Sequence, residues 1–500
     1  MPSDVRENFA LAENTLPRVL GPAAAFCVVV GSVIGSGIFI VPAKVAREVP
    51  YLGPIILLWI LGGLFSAAGA LTLAELGAMM PRAGGAYVYL REAYGKVPAF
   101  LFGWTEFLVV RAGSMATLAA AFAQYFLTLV GPVPGDAGKL FQAAAAVFAI
   151  ALVTTVNILG TRFGSRLQVA GTALKVGGIL ILIALPFLLG GGEISRLSPL
   201  WPAAFDRSLF SGMAVAMVGV LWAYDGWINL TPLAEEVRDP GRNIPRAMIL
   251  GMITLITLYL AMTLVYHYVL PLPEIAAASS SQGVEKGVAA VYCGKLLGTY
   301  GVIAISLLVM ASTFISLNGN ALTGPRAYFA MARDGLFPAS LCRIHPRFQT
   351  PSNAVLAQGV WAALLTLFGT LMILWQAPTD SSSLPAFFLK CWKQLNHTPL
   401  YDLLYTYVIF GANLFYLLAI VSVFILRSKY PNLPRPYKTW GYPATPILYT
   451  IAATALLVNM IRETPAEALA GLGIVFLGLI AYPFLTTRES KQSHMSNPFN

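Results

Sequence analysis

Gly31-Ser32-Val33-Ile34-Gly35-Ser36-Gly37 lies in the middle of the first long apolar stretch of the chain, between Val28-Val29-Val30 and Ile38-Phe39-Ile40-Val41. Three glycines and two serines in seven residues are poor helix formers, each glycine weakening a helix by roughly 1 kcal/mol relative to alanine. The run therefore predicts a membrane helix unwound at mid-depth. Bare backbone at that depth is tolerated only where it is buried in protein or lines a cavity, so the break marks a candidate ligand site. The same small residues also suit close helix packing, and the run alone does not choose between the two.

Around it stands a chain of 500 residues that is 57% hydrophobic and 11% charged, with a mean hydropathy of +0.72, which excludes a soluble globular or a disordered protein. At roughly 20 apolar residues per crossing, the fold class is an all-α polytopic membrane protein with twelve transmembrane helices. The first six are Gly21 to Val45, Gly53 to Met79, Val97 to Leu129, Leu140 to Leu159, Val169 to Gly190 and Leu209 to Ala234. The second six are Ala247 to Leu270, Tyr300 to Leu322, Asn353 to Trp375, Leu404 to Leu426, Pro446 to Ile461 and Leu469 to Leu485. Met1 to Arg18 is too long and too acidic for the basic start of a cleavable signal, so the first span is expected to be its own insertion signal.

With the N-terminus inside, cytoplasmic segments hold 20 of the 32 Lys and Arg residues and the opposite side 10, which predicts cytoplasmic N- and C-termini. The net charge of +10 is then a basic rim facing anionic lipid, and no nucleic-acid partner is expected. Cys27, Cys293, Cys342 and Cys391 have no metal-ligand spacing, and a Cys293–Cys391 disulfide requires loops whose meeting the sequence does not give.

A second interruption falls in span six, at Trp222-Ala223-Tyr224-Asp225-Gly226-Trp227. Breaks five spans apart imply two five-helix repeats of opposite topology whose broken helices face each other near the midplane. The organisation expected is a cytoplasmic segment 1–18, repeat one at 19–190, repeat two at 208–427, two further helices at 443–487 and a cytoplasmic tail 488–500. A helical pattern before span three, Ala86 to Lys96, is echoed before span eight, Glu285 to Lys295. Gly324 to Gly335 reads as a short amphipathic interfacial helix, and Gln376 to Pro399 as a long polar connection on the outer side.

Unwinding leaves amide N–H groups unpaired at the start of the second half-helix, where the macrodipole adds positive potential. The amides of Val33, Gly35, Ser36 and Gly37, with the Ser36 hydroxyl, are expected to cradle a carboxylate. Freed carbonyls of Trp222, Ala223 and Asp225 are expected to attract an ammonium. Carboxylate on one side and ammonium on the other describe an α-amino acid.

Two cations lie within spans. Lys175, deep in span five, is expected either to bridge spans one and eight near Ser312, Thr313 and Ser316 as a built-in cation, or to couple transport through its own proton, or only to brace the bundle. Arg111 in span three needs a partner; it either pairs with Asp225 or faces the cavity and recognises an acidic side chain. Trp222 is expected to lid the site, with Tyr224 the weaker candidate. Glu75 and Glu106 read as helix-to-helix polar contacts, and Glu235-Glu236 as a solvated helix end. There is no HExxH, GxSxG or Walker motif, so neither an enzyme, a metal site nor a cofactor is expected.

Gly31-Ser32-Val33-Ile34-Gly35-Ser36-Gly37-Ile38-Phe39 with Pro42 resembles the first-span signature of the amino acid/polyamine/organocation superfamily. The sixth-span run with Glu235-Glu236 and Asp239 to Ala247 is similar to its next signature, and Pro434 to Lys438 with Gly441-Tyr442-Pro443 to the loop before span eleven in its L-type amino acid transporter branch. The resemblance spans Arg18 to Leu485. It implies the five-plus-five inverted repeat of the leucine-transporter-like fold, alternating access, and amino acid exchange or uptake. It assigns the carboxylate to Val33, Ser36 and Gly37, the ammonium to Trp222, Ala223 and Asp225, and makes Lys175 the lysine that stands in for sodium. Trp222 replaces the usual gate phenylalanine, and an arginine at the place of Arg111 occurs in some branches, among them carriers of anionic amino acids. The loop Gly131 to Gly138 has no cysteine, so no disulfide-linked glycoprotein subunit is expected. The protein expected is a multi-pass cell-membrane carrier, sodium-independent, an exchanger in preference to a proton symporter, with an amino acid-binding sensor as the reading from another class.

Overall fold

The computed structural model describes residues 16–131, 133–203, 206–278, 287–374, 400–463 and 465–486. Among the described residues eleven helices are long and apolar enough to cross a membrane, and Pro465–Leu485, apolar from Gly471, takes the twelfth place. Span one is two helices, α1 (Pro22–Val33) and α2 (Gly37–Glu48). Then come α3 (Leu52–Met79), the short α4 (Ala86–Tyr94), α5 (Lys96–Val130), α6 (Gly135–Ile158) and α7 (Thr161–Leu189). Span six is α8 (Arg207–Tyr224) followed by the 3-10 helix Trp227–Glu236. The rest are α9 (Pro240–Val269), α10 (Gly287–Thr323), the short α11 (Pro325–Arg333), α12 (Ser352–Leu374), α13 (Leu400–Lys429), α14 (Ala444–Glu463) and α15 (Pro465–Leu485).

Local chemistry sets many of the ends. Pro22 and Pro240 open their helices, where a missing N–H costs nothing. The Asp206 carboxylate accepts from Leu209 N at 2.8 Å and caps α8. Gly298, at φ 61, bends α10 and sets the stretch from Gly287 apart from the crossing proper. That stretch and α4 are the two pre-span helices expected from the sequence, apart from Glu285 and Lys286, which lie outside the described residues.

Burial locates the core. The apolar window of span one is 83% buried against 28% for span five, so the interrupted helix runs through the middle of the bundle. Glu75 makes the expected polar contact. It accepts from Arg427 Nη2 at 2.6 Å and from Thr439 N at 2.7 Å, tying α3 to the end of α13 and to the loop before α14.

Two expectations at the end of span six are corrected. Glu235 and Glu236 are not a solvated helix end. Both side chains of the Glu236–Arg326 pair are 0% exposed, with Arg326 Nε donating at 2.8 Å, while Glu235 accepts from Leu16 N at 2.8 Å and Ala83 N at 2.9 Å. Nor is α11 an interfacial anchor, since Arg326 through Ala332 are buried and the Tyr328 hydroxyl donates to Glu106 O at 3.3 Å. Both errors have one cause: α11 folds back beneath span six, and its arginines meet the two glutamates from a place 90 or more residues away. Beside them Leu20 pairs as extended backbone with Val237. The connection Gln376 to Pro399, with Cys391, lies outside the described residues; Cys27, Cys293 and Cys342 are free.

Candidate functional site

In span one the chain leaves α1 at Ile34 (φ −70, ψ 87) and re-enters a helix at Gly37. Val33 is still within α1, and Gly35 N donates to Val33 O at 2.8 Å. Phe39 N and Ile40 N both turn back to Ser36 O, so the amides that open α2 are those of Gly37 and Ile38. The carbonyls of the break point elsewhere. Lys175 Nζ donates to Gly31 O at 2.7 Å, to Ile34 O at 2.5 Å and to Ser316 Oγ at 2.8 Å. The Ser312 hydroxyl lies 3.1 Å from Ile34 O and 3.0 Å from Gly35 O. Thr313 instead bonds within its own helix, to Val309 O at 2.9 Å. An ammonium and two hydroxyls thus gather the oxygen-rich face of the break between spans five and eight. The amide-rich end of α2, which the helix dipole makes positive, stays on the other side.

Span six breaks at Asp225 and Gly226, the latter at φ 110, a left-handed conformation that glycine adopts without strain. Asp225 N donates to Trp222 O at 3.1 Å, and the Tyr259 hydroxyl lies 3.0 Å from Ala223 O and 3.2 Å from Val33 O. One phenol from span seven is therefore shared between the two interruptions. Their backbones touch: a Cβ on Gly226 would lie 3.2 Å from the Ser32 carbonyl carbon, and one on Gly37 would lie 2.6 Å from Ala223 Cα. The two readings of the first-span glycines hold together, because the break needs them and so does the approach of span six.

Between the breaks lies a hollow of about 360 Å³, its mouth included. Span one contributes Ser32, Val33, Gly35, Ser36 and Gly37, and span six Trp222, Asp225, Gly226 and Asn229. Ser114 and Leu118 of α5 and Asn320 of α10 close the remaining wall. Asp225 is the charged member of this lining, and the Tyr416 hydroxyl donates to its Oδ1 at 3.3 Å. The Ser32 hydroxyl is buried and faces Gly319 of α10, where a Cβ would stand 2.7 Å from it.

Arg111 lies one layer behind. Its Nε donates to Glu106 Oε2 at 2.5 Å, and its Nη1 to Asn229 Oδ1 and, at 3.5 Å, to Asn320 Oδ1. Of the two partners the sequence left open, Asp225 acts on Arg111 only through space, and the direct contact is with the carboxylate of its own helix. Residues five apart stand about 140° apart on an α-helix. Glu106–Arg111 forms a π-helical turn, whose wider winding brings the two onto one face.

Of the residues singled out in the sequence, Val33, Gly35, Ser36, Gly37, Trp222 and Asp225 line the hollow. Ala223 stands behind it, its carbonyl facing Tyr259, while Lys175 is on the far side of the first break. Tyr224 packs away, its hydroxyl donating to Trp59 O at 3.1 Å. Sequence reasoning missed Ser32, Ser114, Leu118, Gly226, Asn229 and Asn320 as lining and Tyr259 as the link. The signal present was the pair of asparagines in apolar spans, each an expensive burial without a polar neighbour.

Residues 20–480 match the family model described as amino acid permease. The mouse b(0,+)-type amino acid transporter 1 is 31% identical over 481 residues, covering 94% of this chain and 88% of the relative. The rabbit large neutral amino acids transporter small subunit 2 is 31% identical, covering 93% and 80%. The serine/threonine exchanger SteT of Bacillus subtilis (strain 168) is 28% identical, covering 94% and 97%. These relatives are named for transport rather than for catalysis. The chain is a multi-pass membrane protein of the amino acid permease family, in the L-type branch of the amino acid/polyamine/organocation superfamily, and amino acid transport is the activity its relatives share.

Proposed function

We propose that this protein carries α-amino acids across the cell membrane by alternating access, without sodium, and as an exchanger. Residues 19–190 and 208–427 act as the two opposed repeats, and both termini face the cytoplasm. The amides at the start of α2, with Ser36 and Gly37, hold the carboxylate; the end of α8, with Trp222, Ala223 and Asp225, holds the ammonium. Trp222 covers the site. The observation that carries this is the meeting of two interrupted helices around one hollow, with the carbonyls of the first break already taken by Lys175, Ser312 and Ser316. A fixed ammonium in that oxygen cage supplies the positive charge a sodium ion would bring, which supports the sodium-independent reading.

The charge of the lining narrows the guest. Asp225 gives the hollow a negative charge, and Arg111 is neutralised by Glu106 behind Asn229 and Asn320, so neutral and basic side chains are favoured over acidic ones. Arg111 acts as a positioning residue for the two asparagines. A disulfide to a glycoprotein subunit is not expected from the loop Gly131 to Gly138, which holds no cysteine.

Purified protein in liposomes tests this by counterflow of labelled amino acid. Flux that requires internal amino acid, unchanged when potassium replaces sodium, supports the proposal. Flux driven by a proton gradient with empty liposomes replaces exchange with proton symport, for which Lys175 and Asp225 are the buried ionisable groups at hand. Saturable binding without flux makes the protein a sensor.

A further inference from the structure

Away from the hollow, Phe107 of α5 and Trp361 of α12 line a second, apolar groove of about 830 Å³, the space open to the membrane included. Leu356, Val360 and Leu364 recur every fourth residue along one face of α12 and are 50, 51 and 50% exposed. From the first to the third is about 12 Å at 1.5 Å per residue, close to the roughly 15 Å half-thickness of a bilayer's hydrocarbon. One end of the groove is polar. Ser340 and Asn353 line it there, with Asn353 Nδ2 donating to Ser340 O at 2.8 Å. Arg343 and Arg347, on the same loop, are exposed and have no carboxylate within ion-pair distance among the described residues.

We propose that this groove is a binding site for one anionic phospholipid, an acyl chain lying along Leu356, Val360 and Leu364 and the phosphate headgroup held by Arg343 and Arg347. An apolar trough close to one leaflet long, whose polar end is formed by the loop that goes on to carry two arginines without carboxylate partners, matches a lipid of that charge better than a zwitterionic one. A second copy of the chain would have to bring its own acidic segment to those arginines.

The wall of the groove is the π-helical turn itself. Trp361 Nε1 donates to Leu108 O at 2.9 Å, and the Phe107 ring stacks on Trp361 with centroids 6.5 Å apart. The same turn carries Arg111, which reaches Asn229 and Asn320 at the hollow, so a lipid seated here braces the segment that positions the substrate wall. That coupling rests on the transport proposal; binding of the lipid does not.

The test uses the full chain in neutral detergent, titrated with phosphatidylglycerol or phosphatidylcholine carrying brominated chains, which quench nearby tryptophan. The expected result is quenching by phosphatidylglycerol at a roughly tenfold lower concentration. Trp361→Phe removes that component, and Arg343→Gln with Arg347→Gln brings the two lipids level. Equal potency of the two lipids on the unaltered protein overturns the proposal. So does an anionic preference that survives in the double arginine variant, or a dimer in which Trp361 is shielded from both lipids. Both arginines are exposed and outside the hollow, so their replacement leaves folding unchanged, and leaves flux unchanged in phosphatidylcholine liposomes that hold no anionic lipid.

Discussion

Gly37→Ala puts the approach of the two breaks to the sharpest test. Its Cβ would stand 2.6 Å from Ala223 Cα and 2.8 Å from Ala223 Cβ, where carbon–carbon packing needs roughly 3.5–4.0 Å. About 1 Å of room is missing, and the nearer obstacle is backbone, so no rotamer change relieves it. The start of α2 must move off the end of α8, taking its amides with it. Overpacking of this kind costs about 1–3 kcal/mol, which corresponds to a roughly 5- to 150-fold weaker half-saturation in uptake. Gly177→Ala is the matched control, since a Cβ there meets nothing within 4 Å and the change should leave uptake as it was. Adding Ala223→Gly to Gly37→Ala takes away the clashing methyl of Ala223 but leaves its backbone in the way, so recovery should be partial. The assay is concentration-dependent uptake into liposomes, on protein whose thermal midpoint is recorded alongside. A Gly37→Ala protein with unaltered half-saturation and rate would refute the placement of the carboxylate at this helix start.

Lys175→Met removes three donated hydrogen bonds and leaves the carbonyls of Gly31 and Ile34 served by serine hydroxyls alone; uptake should fall at least about tenfold, measured as initial rate. Arg111→Met strands the Glu106 carboxylate in the interior and should cost about 3–5 kcal/mol of stability in a thermal melt, with most of that recovered when Glu106→Gln is added. In competition uptake, unaltered protein should be inhibited by neutral and basic amino acids and little by glutamate, and Asp225→Asn should weaken the basic competitors most. Glu236→Gln, which leaves fully buried Arg326 without its carboxylate, should lower the melting temperature by several degrees while Glu48→Gln, paired at the surface with Arg47, should not.

Much of the architecture can be read directly from the chain, because a bilayer imposes a strong local rule: a crossing needs about twenty apolar residues, and a cluster of glycine and serine within one has few uses. The two breaks fell where Gly31 to Gly37 and Trp222 to Trp227 placed them, while the depth of Lys175 gave only that it needed partners, which the structure supplies from spans one and eight. What escaped were the partners. Arg111 lies in the same span as Glu106, yet a helix of ordinary pitch would have kept them apart, and the π turn that joins them has no signature in the residue order.

The sequence by itself determined that the chain is a membrane helix bundle, how many times it crosses, where two crossings are interrupted, and which residues cannot sit comfortably in lipid. Those properties depend on composition and spacing over about twenty residues or fewer, the range within which the bilayer acts on a segment. Only the tertiary structure decided which of the uncomfortable groups satisfy one another: Tyr259 between Val33 and Ala223, Arg326 on Glu236, Arg111 on Glu106 and the two asparagines at the hollow. Each of those pairings is a choice among many buried partners. It is settled by how whole helices pack rather than by any stretch of sequence that could be read alone.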